Sequence, residues 1–516
     1  MFQYPQVHNM LEVSFSTVLA ALAGLIVVYY FFFGENYFHK YGIPHPRRLA
    51  IFGNMAPIIF RRNTFVGHIT DIYNLHKEAK YVGFYDFGMP VTMIRDLELI
   101  KSITVKHFDH FMDHRGFADP EIEPLFGNNL FSLRGDRWRE IRTLLTPAFT
   151  SSKMKAMFKL MSECANTFGD ALVKQAENNA DGFFSKDIFT RYTNDAIATC
   201  AFGIAVDSMK NPDNDFYVLG RRATNFDGIK SLKFFMIRSF PLITKLFRVK
   251  LIETKIENFF YDLVKDTIAT RDAQGISRPD MIQLMMETRG NKPGSKNPEL
   301  SIESMTSQAF IFFFGGFDST ATTMCFTAHE IASNPDIQKK LQEEIDQVLE
   351  KDNGNPSYES INGMHYLDAI VNETLRLYPI AGFMDRVCTE SFELPPTLPG
   401  IKPLKVNPGD NLWIPAWAIH RDPQYFSNPD KFDPERFMGE AKDTINHSAY
   451  LPFGVGPRMC IGNRFALLEI KVLFFYLLAK CNITPSKKMI LPMRLSKKSF
   501  ALMADGGFWL DIQPRK

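Results

Sequence analysis

The chain has 516 residues, 45% hydrophobic and 22% charged, with a formal net charge of +2 that gives no support for nucleic acid as a partner. Six scattered cysteines without a CxxC pair are no disulfide framework and argue against structural zinc, so the thiols are expected in a reducing compartment. The 48 phenylalanines predict a large aromatic interior or contact with lipid.

Val13–Phe33, "VSFSTVLAALAGLIVVYYFFF", carries no charge over 21 residues. As a helix it spans roughly 31 Å, about the thickness of a bilayer core. No Lys or Arg precedes it and no small-x-small site follows it, which disfavours a cleaved signal peptide. Residues 1–33 are therefore expected to be a membrane anchor, with Tyr29, Tyr30 and Tyr37 near an interface. Lys40, Arg47, Arg48, Arg61 and Arg62 follow the span, which places the body in the cytosol. The sequons at Asn372, Asn446 and Asn482 are then chance matches. Pro44 and Pro46 stiffen "YGIPHPRR", read as an extended hinge over 34–50. No later stretch resembles an interdomain linker, so 51–516 is expected to form one mostly helical α+β unit.

Short β-like runs fall at Lys80–Ile94, Glu390–Leu412 and the C-terminus, while helical periodicity dominates Asp136–Glu350. Thr288–Leu300 and Lys351–Tyr358 read as exposed loops. In "GDRWREIR", Trp138 and Arg142 stand at i and i+4 and aim at one target. Arg137 and Arg139 flank Trp138, with Arg134, Lys153 and Lys155 close by; the cluster is either a solvated basic face or a docking patch. Ser231–Phe247, "SLKFFMIRSFPLITKLF", either dips into a membrane surface or is a buried helix–loop–helix. Lys233, Arg238 and Lys245 argue against a second membrane span.

Glu303–Pro335 reads as one long apolar helix. Gly315 and Gly316 each cost roughly 1 kcal/mol relative to alanine in mid-helix, and missing side chains there make room for a ligand. Asp318 and Ser319 place an acid and a hydroxyl in this apolar setting. Further on, Glu373 and Arg376 in "NETLRLYP" share a helix face.

The stretch "LPFGVGPRMCIGNRFA", Leu451–Ala466, holds Cys460 between Gly456 and Gly462. A cysteine binds iron as thiolate, and its ordinary pKa requires metal and amide donors to hold the charge. Glycines allow close backbone approach, and a helix reading as opening at Cys460 adds positive potential. Arg458 is placed to pair with a porphyrin carboxylate, and Phe453 to shield the sulfur.

Phe453, Gly456, Arg458, Cys460 and Gly462 match F-x-x-G-x-R-x-C-x-G, and the chain resembles the cytochrome P-450 (haem-thiolate monooxygenase) family. The resemblance implies a mainly α (α+β) fold with a long central helix over haem b, small sheets and an N-terminal membrane helix. It implies Cys460 as the iron ligand, and Trp138, Arg142 and Arg386, with Arg115 as a weaker candidate, as propionate partners. Glu373 and Arg376 match E-x-x-R and Arg436 of "FDPERF" resembles its third partner, a structural network. Gly315, Gly316 and Asp318 match (A/G)-G-x-(D/E)-T, but Ser319 replaces the usual threonine and Thr320 follows it. Asp318 and Ser319 are then the expected proton carriers, with looser coupling because serine lacks the methyl that fixes its rotamer.

The implied activity inserts one atom of dioxygen into a lipophilic substrate, with electrons from NADPH through a membrane-bound flavin reductase, at the cytosolic face of the endoplasmic reticulum. The closest resemblance is to the animal microsomal branch that clears xenobiotics, its arthropod members included. Two alternatives stand beside it. A peroxide isomerase or dehydratase needs no reductase but often lacks the acid–hydroxyl pair, and a non-catalytic haem sensor forms no NADPH-dependent product. Phe117–Phe131, the helix near Phe313, "PIAGF" from Pro379 and "SFALM" from Ser499 are the expected pocket segments.

Overall fold

The computed structural model describes residues 17–25, 37–49, 51–116, 118–177, 179, 181–278, 280–289 and 299–515. Most of Val13–Phe33, residues 290–298 of the expected loop and Phe117 lie outside this set. Residues 17–25 are helical and exposed.

Strands β1 (Tyr81–Asp86) and β2 (Met89–Ile94) form a hairpin, with Tyr81 opposite Ile94 and Asp86 opposite Met89. Two distant strands, β3 (Met384–Val387) and β4 (Asn411–Ile414), extend the sheet in the order β1-β2-β4-β3. β4 runs parallel to β2 and antiparallel to β3. The C-terminal strand Trp509–Pro514 pairs antiparallel with Phe183–Phe184 on one side and Cys481–Pro485 on the other, and Phe392–Leu394 pairs with Leu404–Val406.

The expected hinge is packed from Phe38 onward. Phe38 and Ile43 are buried, and Gly83 of β1 donates its N–H to the Pro44 carbonyl at 2.9 Å. A Cβ at Gly83 would lie 2.3 Å from the Phe38 ring, so only glycine admits this contact.

Seven helices position the site: α1 (Gly135–Leu145), α2 (Ser151–Ala176), α3 (Ser185–Ile197), α4 (Ile302–Phe314), α5 (Thr320–Ser333), α6 (His365–Leu377) and α7 (Asn463–Lys480). Ser301 caps α4 by accepting the Ser304 N–H. The expected single helix Glu303–Pro335 is interrupted: Gly315–Ser319 forms a π-turn between α4 and α5. Among the described residues, this central helix alone is long and apolar enough to cross a membrane, but 61% of its most apolar window is buried in the protein. It is the core of the body.

The phenylalanines explain that core. Phe310 and Phe313 of α4 pack against Phe260 with centroids at 5.2 and 5.1 Å, and Phe126 meets Phe310 and Phe314 at 5.2 and 5.3 Å. A second cluster, with Phe84, Trp413 and Phe38, fills the region around the four-stranded sheet. Two sequence expectations need correction. The segment Ser231–Phe247 is no buried helix–loop–helix: Ile229–Ser239 buries no residue, and Leu242, Leu246 and Phe247 are among the most exposed apolar side chains. The helix expected to open at Cys460 begins three residues later, at Asn463 behind Gly462.

Candidate active site

The cysteine loop lies along the seam between the two cores. Leu451 and Val455 pack into the sheet cluster, and Phe453 and Ile461 into the helical one. Gly456 has φ +74°, and a Cβ there would stand 2.1 Å from the Thr104 carbonyl oxygen. Glycine is therefore dictated by both backbone conformation and contact. The Cys460 N–H donates to the Phe453 carbonyl at 2.9 Å, which ties the ends of the turn together.

Four of the six cysteines are buried and Cys164 is half-buried; only Cys460 is exposed. Protein nevertheless surrounds it densely. Burial pushes the Cys460 thiol up, while the Gly462 N–H and the Arg142 charge pull it down, and burial prevails. The thiolate thus needs a metal to become the resting form.

Trp138 and Arg142 face this region from α1. The Arg142 guanidinium, its own pKa lowered by burial, interacts with the Cys460 charge. Trp138 carries the Arg458 guanidinium over its ring at 4.1 Å. Arg458 is almost fully enclosed and donates to the Met112 and Leu133 carbonyls, each at 2.7 Å. Its fork is committed to backbone, not held free as the sequence suggested. Burial, with Arg386 and Arg142 nearby, brings it down to about 9, against the raising effect of Asp113 and Asp385.

Arg386, on β3, donates to the Asp385 carbonyl at 2.7 Å, and its buried Nε has no hydrogen-bond partner among the described residues. Burial lowers Arg386 to about 10. Asp385 accepts from the Arg115 N–H at 2.8 Å and lies 2.9 Å from His114 Nδ1. Burial raises the Asp385 carboxyl, yet His114, the Arg115 amide and Arg238 together hold it well below its ordinary value. The Arg115 side chain is engaged elsewhere, 2.9 Å from Asp86 Oδ2, which Arg238 also contacts at 2.8 Å.

A buried scaffold stands behind the loop. Arg376 grips Glu373 in a two-pronged pair at 2.7 and 2.9 Å, both side chains fully buried. Arg436 stands 3.5 Å from the same carboxylate. The sequence reading missed His420 and Tyr450, which join this scaffold to the loop. His420 Nε2 accepts the Leu451 N–H at 2.7 Å while its Nδ1 bonds the Arg376 carbonyl at 3.0 Å. Tyr450 donates to Asn372.

Across the site, Gly315 has open space where a side chain would be. Gly316 serves packing instead, since a Cβ there would meet Ile197 Cδ1 at 3.0 Å. Asp318 pairs with Lys186 of α3 at 2.8 Å, a partner the sequence did not suggest. Ser319 Oγ donates to the Gly315 carbonyl, and Thr320 is buried. The expected pocket segments meet through aromatic rings: Phe126 with Phe314, and both Phe383 and Phe500 with Phe65. Phe313 itself turns away, into the contact with Phe216.

These residues fit an iron porphyrin. Arg142 interacts with the Cys460 charge and also with Arg458, which in turn interacts with Arg386 and with the carboxylates of Asp113 and Asp385, so the three guanidiniums form one electrostatic cluster that reaches the cysteine. The unpartnered buried Nε of Arg386 is a donor suited to a ligand carboxylate.

A glycine-shaped cysteine loop with a guanidinium beside it and a central apolar helix broken by a π-turn, in a helical body with small sheets, are the features of a haem-thiolate protein. The family model described as Cytochrome P450 matches residues 43–510, and the chain belongs to this family. The family binds haem b through a cysteine thiolate, and the chain is an oxidoreductase of the monooxygenase type. It is 44% identical to cytochrome P450 9e2 of Blattella germanica, covering 98% of this chain and 97% of that one. It is 41% identical to probable cytochrome P450 9f2 of Drosophila melanogaster, over 93% and 95% of the two chains. Cytochrome P450 6j1 of Blattella germanica is 35% identical over 96% and 97%.

Proposed function

We propose that this protein is a membrane-attached monooxygenase that inserts one atom of dioxygen into lipophilic foreign compounds, with electrons from NADPH delivered by a separate flavin reductase. Cys460 carries this reading: it alone among the cysteines combines exposed surface, a glycine-shaped loop and a guanidinium within electrostatic reach. Haem b, when bound, supplies the activation of dioxygen, and a thiolate ligand favours O–O cleavage.

The chain's own residues do the rest. Cys460 Sγ is the metal ligand, with the Gly462 N–H and Arg142 favouring its charge. Arg386 Nε and Arg142 hold the carboxylates of the group, and Arg458 adds charge while fixing Trp138. Phe453 shields the sulfur. Asp318 collects protons at the partly open edge of the central helix, and Ser319 Oγ passes them inward. Phe314, Phe383 and Phe500 belong to an aromatic, weakly selective enclosure for the substrate. Its composition selects for lipophilicity.

Membrane attachment rests on two features: the helical, exposed residues 17–25 within the apolar run, and the exposed apolar side chains of Leu242, Leu246 and Phe247. Basic residues after the first of these put the body at the cytosolic face of the endoplasmic reticulum. In this reading 1–33 is the anchor, 34–50 the proline-rich hinge, whose Phe38 and Ile43 pack into the sheet core, and 51–516 the catalytic body.

The deciding experiment is the absorption spectrum of the reduced protein with carbon monoxide. The parent should show the red-shifted band of thiolate ligation, and Cys460→His should keep haem without that band. Retention of the band in Cys460→Ala would refute the assignment.

A further inference from the structure

The π-turn of the central helix has an external frame. A π-turn shifts the hydrogen-bond ladder by one residue and leaves a carbonyl without its ordinary donor. Here the Phe317 and Asp318 carbonyls both accept from another helix. Thr193 Oγ1 donates to the Phe317 oxygen at 2.8 Å, and Lys186 Nζ donates to the Asp318 oxygen at 3.1 Å. The same ammonium reaches the Asp318 carboxylate at 2.8 Å and the Thr322 hydroxyl. Ile197 completes the contact by filling the space beside Gly316.

Lys186, Thr193 and Ile197 stand at i, i+7 and i+11 of α3, a spacing that returns to one helix face. They meet residues 318, 317 and 316 in reverse order, so α3 reads the turn residue by residue. Thr193 is fully buried, and the Lys186 side chain is only 15% exposed. Their donors therefore meet little competition from water.

We infer that Lys186 and Thr193 are positioning residues, which fix the register of the Gly315–Ser319 turn and so aim Asp318 and Ser319 at their proton path. This rests on the reading of Asp318 and Ser319 as proton carriers given above. Without the two donors, the turn loses its outside partners and relaxes toward a regular ladder. One residue of slip rotates Ser319 by roughly 100° about the helix, away from the side on which Gly315 opens space.

The test uses full-length haem-loaded protein with Thr193→Val, Lys186→Met, and the conservative Thr193→Ser and Lys186→Arg. Hydrogen exchange read by mass spectrometry on the peptide around residues 315–323 should be about fivefold faster in the first two, the factor one lost hydrogen bond implies. Peroxide released per NADPH should rise at least about twofold, with substrate binding unchanged, and the conservative variants should restore both. Unchanged exchange, or unchanged peroxide despite faster exchange, overturns the inference. Asp318→Asn and Ser319→Ala judge the underlying reading separately: if both stay coupled, the proton-carrier roles fall, while exchange in the Lys186 and Thr193 variants still decides whether α3 frames the turn.

Discussion

His420 offers a quantitative check on how the cysteine loop is held. It is fully buried between α6 and the loop, with Nε2 accepting from Leu451 and Nδ1 bonding the Arg376 carbonyl. Since Nε2 accepts, Nδ1 carries the proton and the neutral ring is complete as it stands. Burial, opposed by the Arg376 carbonyl bond and assisted by the Arg376 and Arg421 charges, pushes its pKa down from 6.5 to about 3. The folded state therefore binds fewer protons than the unfolded state between these values. Stability falls as pH drops through 6.5 and stops falling only near 3. From pH ~7.5 to ~5 the loss from this one histidine is about 2 kcal/mol. Buried His68, His114 and His329 shift in the same direction, whereas burial raises Glu123 to about 7 and Asp195 to about 6 and so opposes the loss; the difference between parent and a His420 variant isolates this one residue. Glutamine supplies a donor and an acceptor but does not titrate. His420→Gln should be less stable than the parent near neutrality yet lose about 2 kcal/mol less on acidification, by urea unfolding of detergent-solubilised protein. Equal acid sensitivity in parent and variant would refute the argument.

Gly456→Ala forces a Cβ to 2.1 Å from the Thr104 carbonyl at a positive φ; it should cost more than about 4 kcal/mol and abolish haem retention, read from the haem-to-protein absorbance ratio. Replacing Leu242, Leu246 and Phe247 by serine, in a chain lacking residues 1–33, should release protein from liposomes that retain the 1–33 deletion alone; equal retention counts against this second membrane contact. Neutralising Arg137, Arg139 and Lys153 should raise the reductase concentration for half-maximal turnover by about threefold at low salt, leaving peroxide-driven turnover unchanged. The effect is held small because Arg137 already pairs with Glu140, and Arg139 with Asp109 and Asp136. Equal loss of peroxide-driven turnover would point to damage at the haem site.

What could be read from the sequence was local. The cysteine loop is legible because its residue types stand at fixed short spacing: Gly456 carries a positive φ, and the Cys460 N–H closes the turn on the Phe453 carbonyl seven residues earlier. The β1–β2 hairpin is legible for the same reason. β3 was not: four residues, two of them Asp385 and Arg386, carry no apolar pattern, and only pairing with β4 makes them a strand. The segment Ser231–Phe247 is apolar and basic in a way that suits burial or a surface equally, and only tertiary structure packs Phe234, Phe235 and Ile237 against the body while leaving Leu242, Leu246 and Phe247 exposed. The same distinction runs through the site. Arg458 looked like a free fork, but carbonyls from Met112 to Leu133, more than three hundred residues earlier, take its donors. Asp318 looked like an acid alone in an apolar helix, but Lys186 waits on it from α3. His420 carried no sequence signal at all, because its worth lies in bridging two carbonyl and amide groups that the chain brings together only on folding. The residues proposed to supply chemistry are therefore visible in the sequence, whereas the residues that hold them in place are not. A reagent must be of a particular type, but a support need only be a donor or acceptor in the right place, and place is what folding supplies.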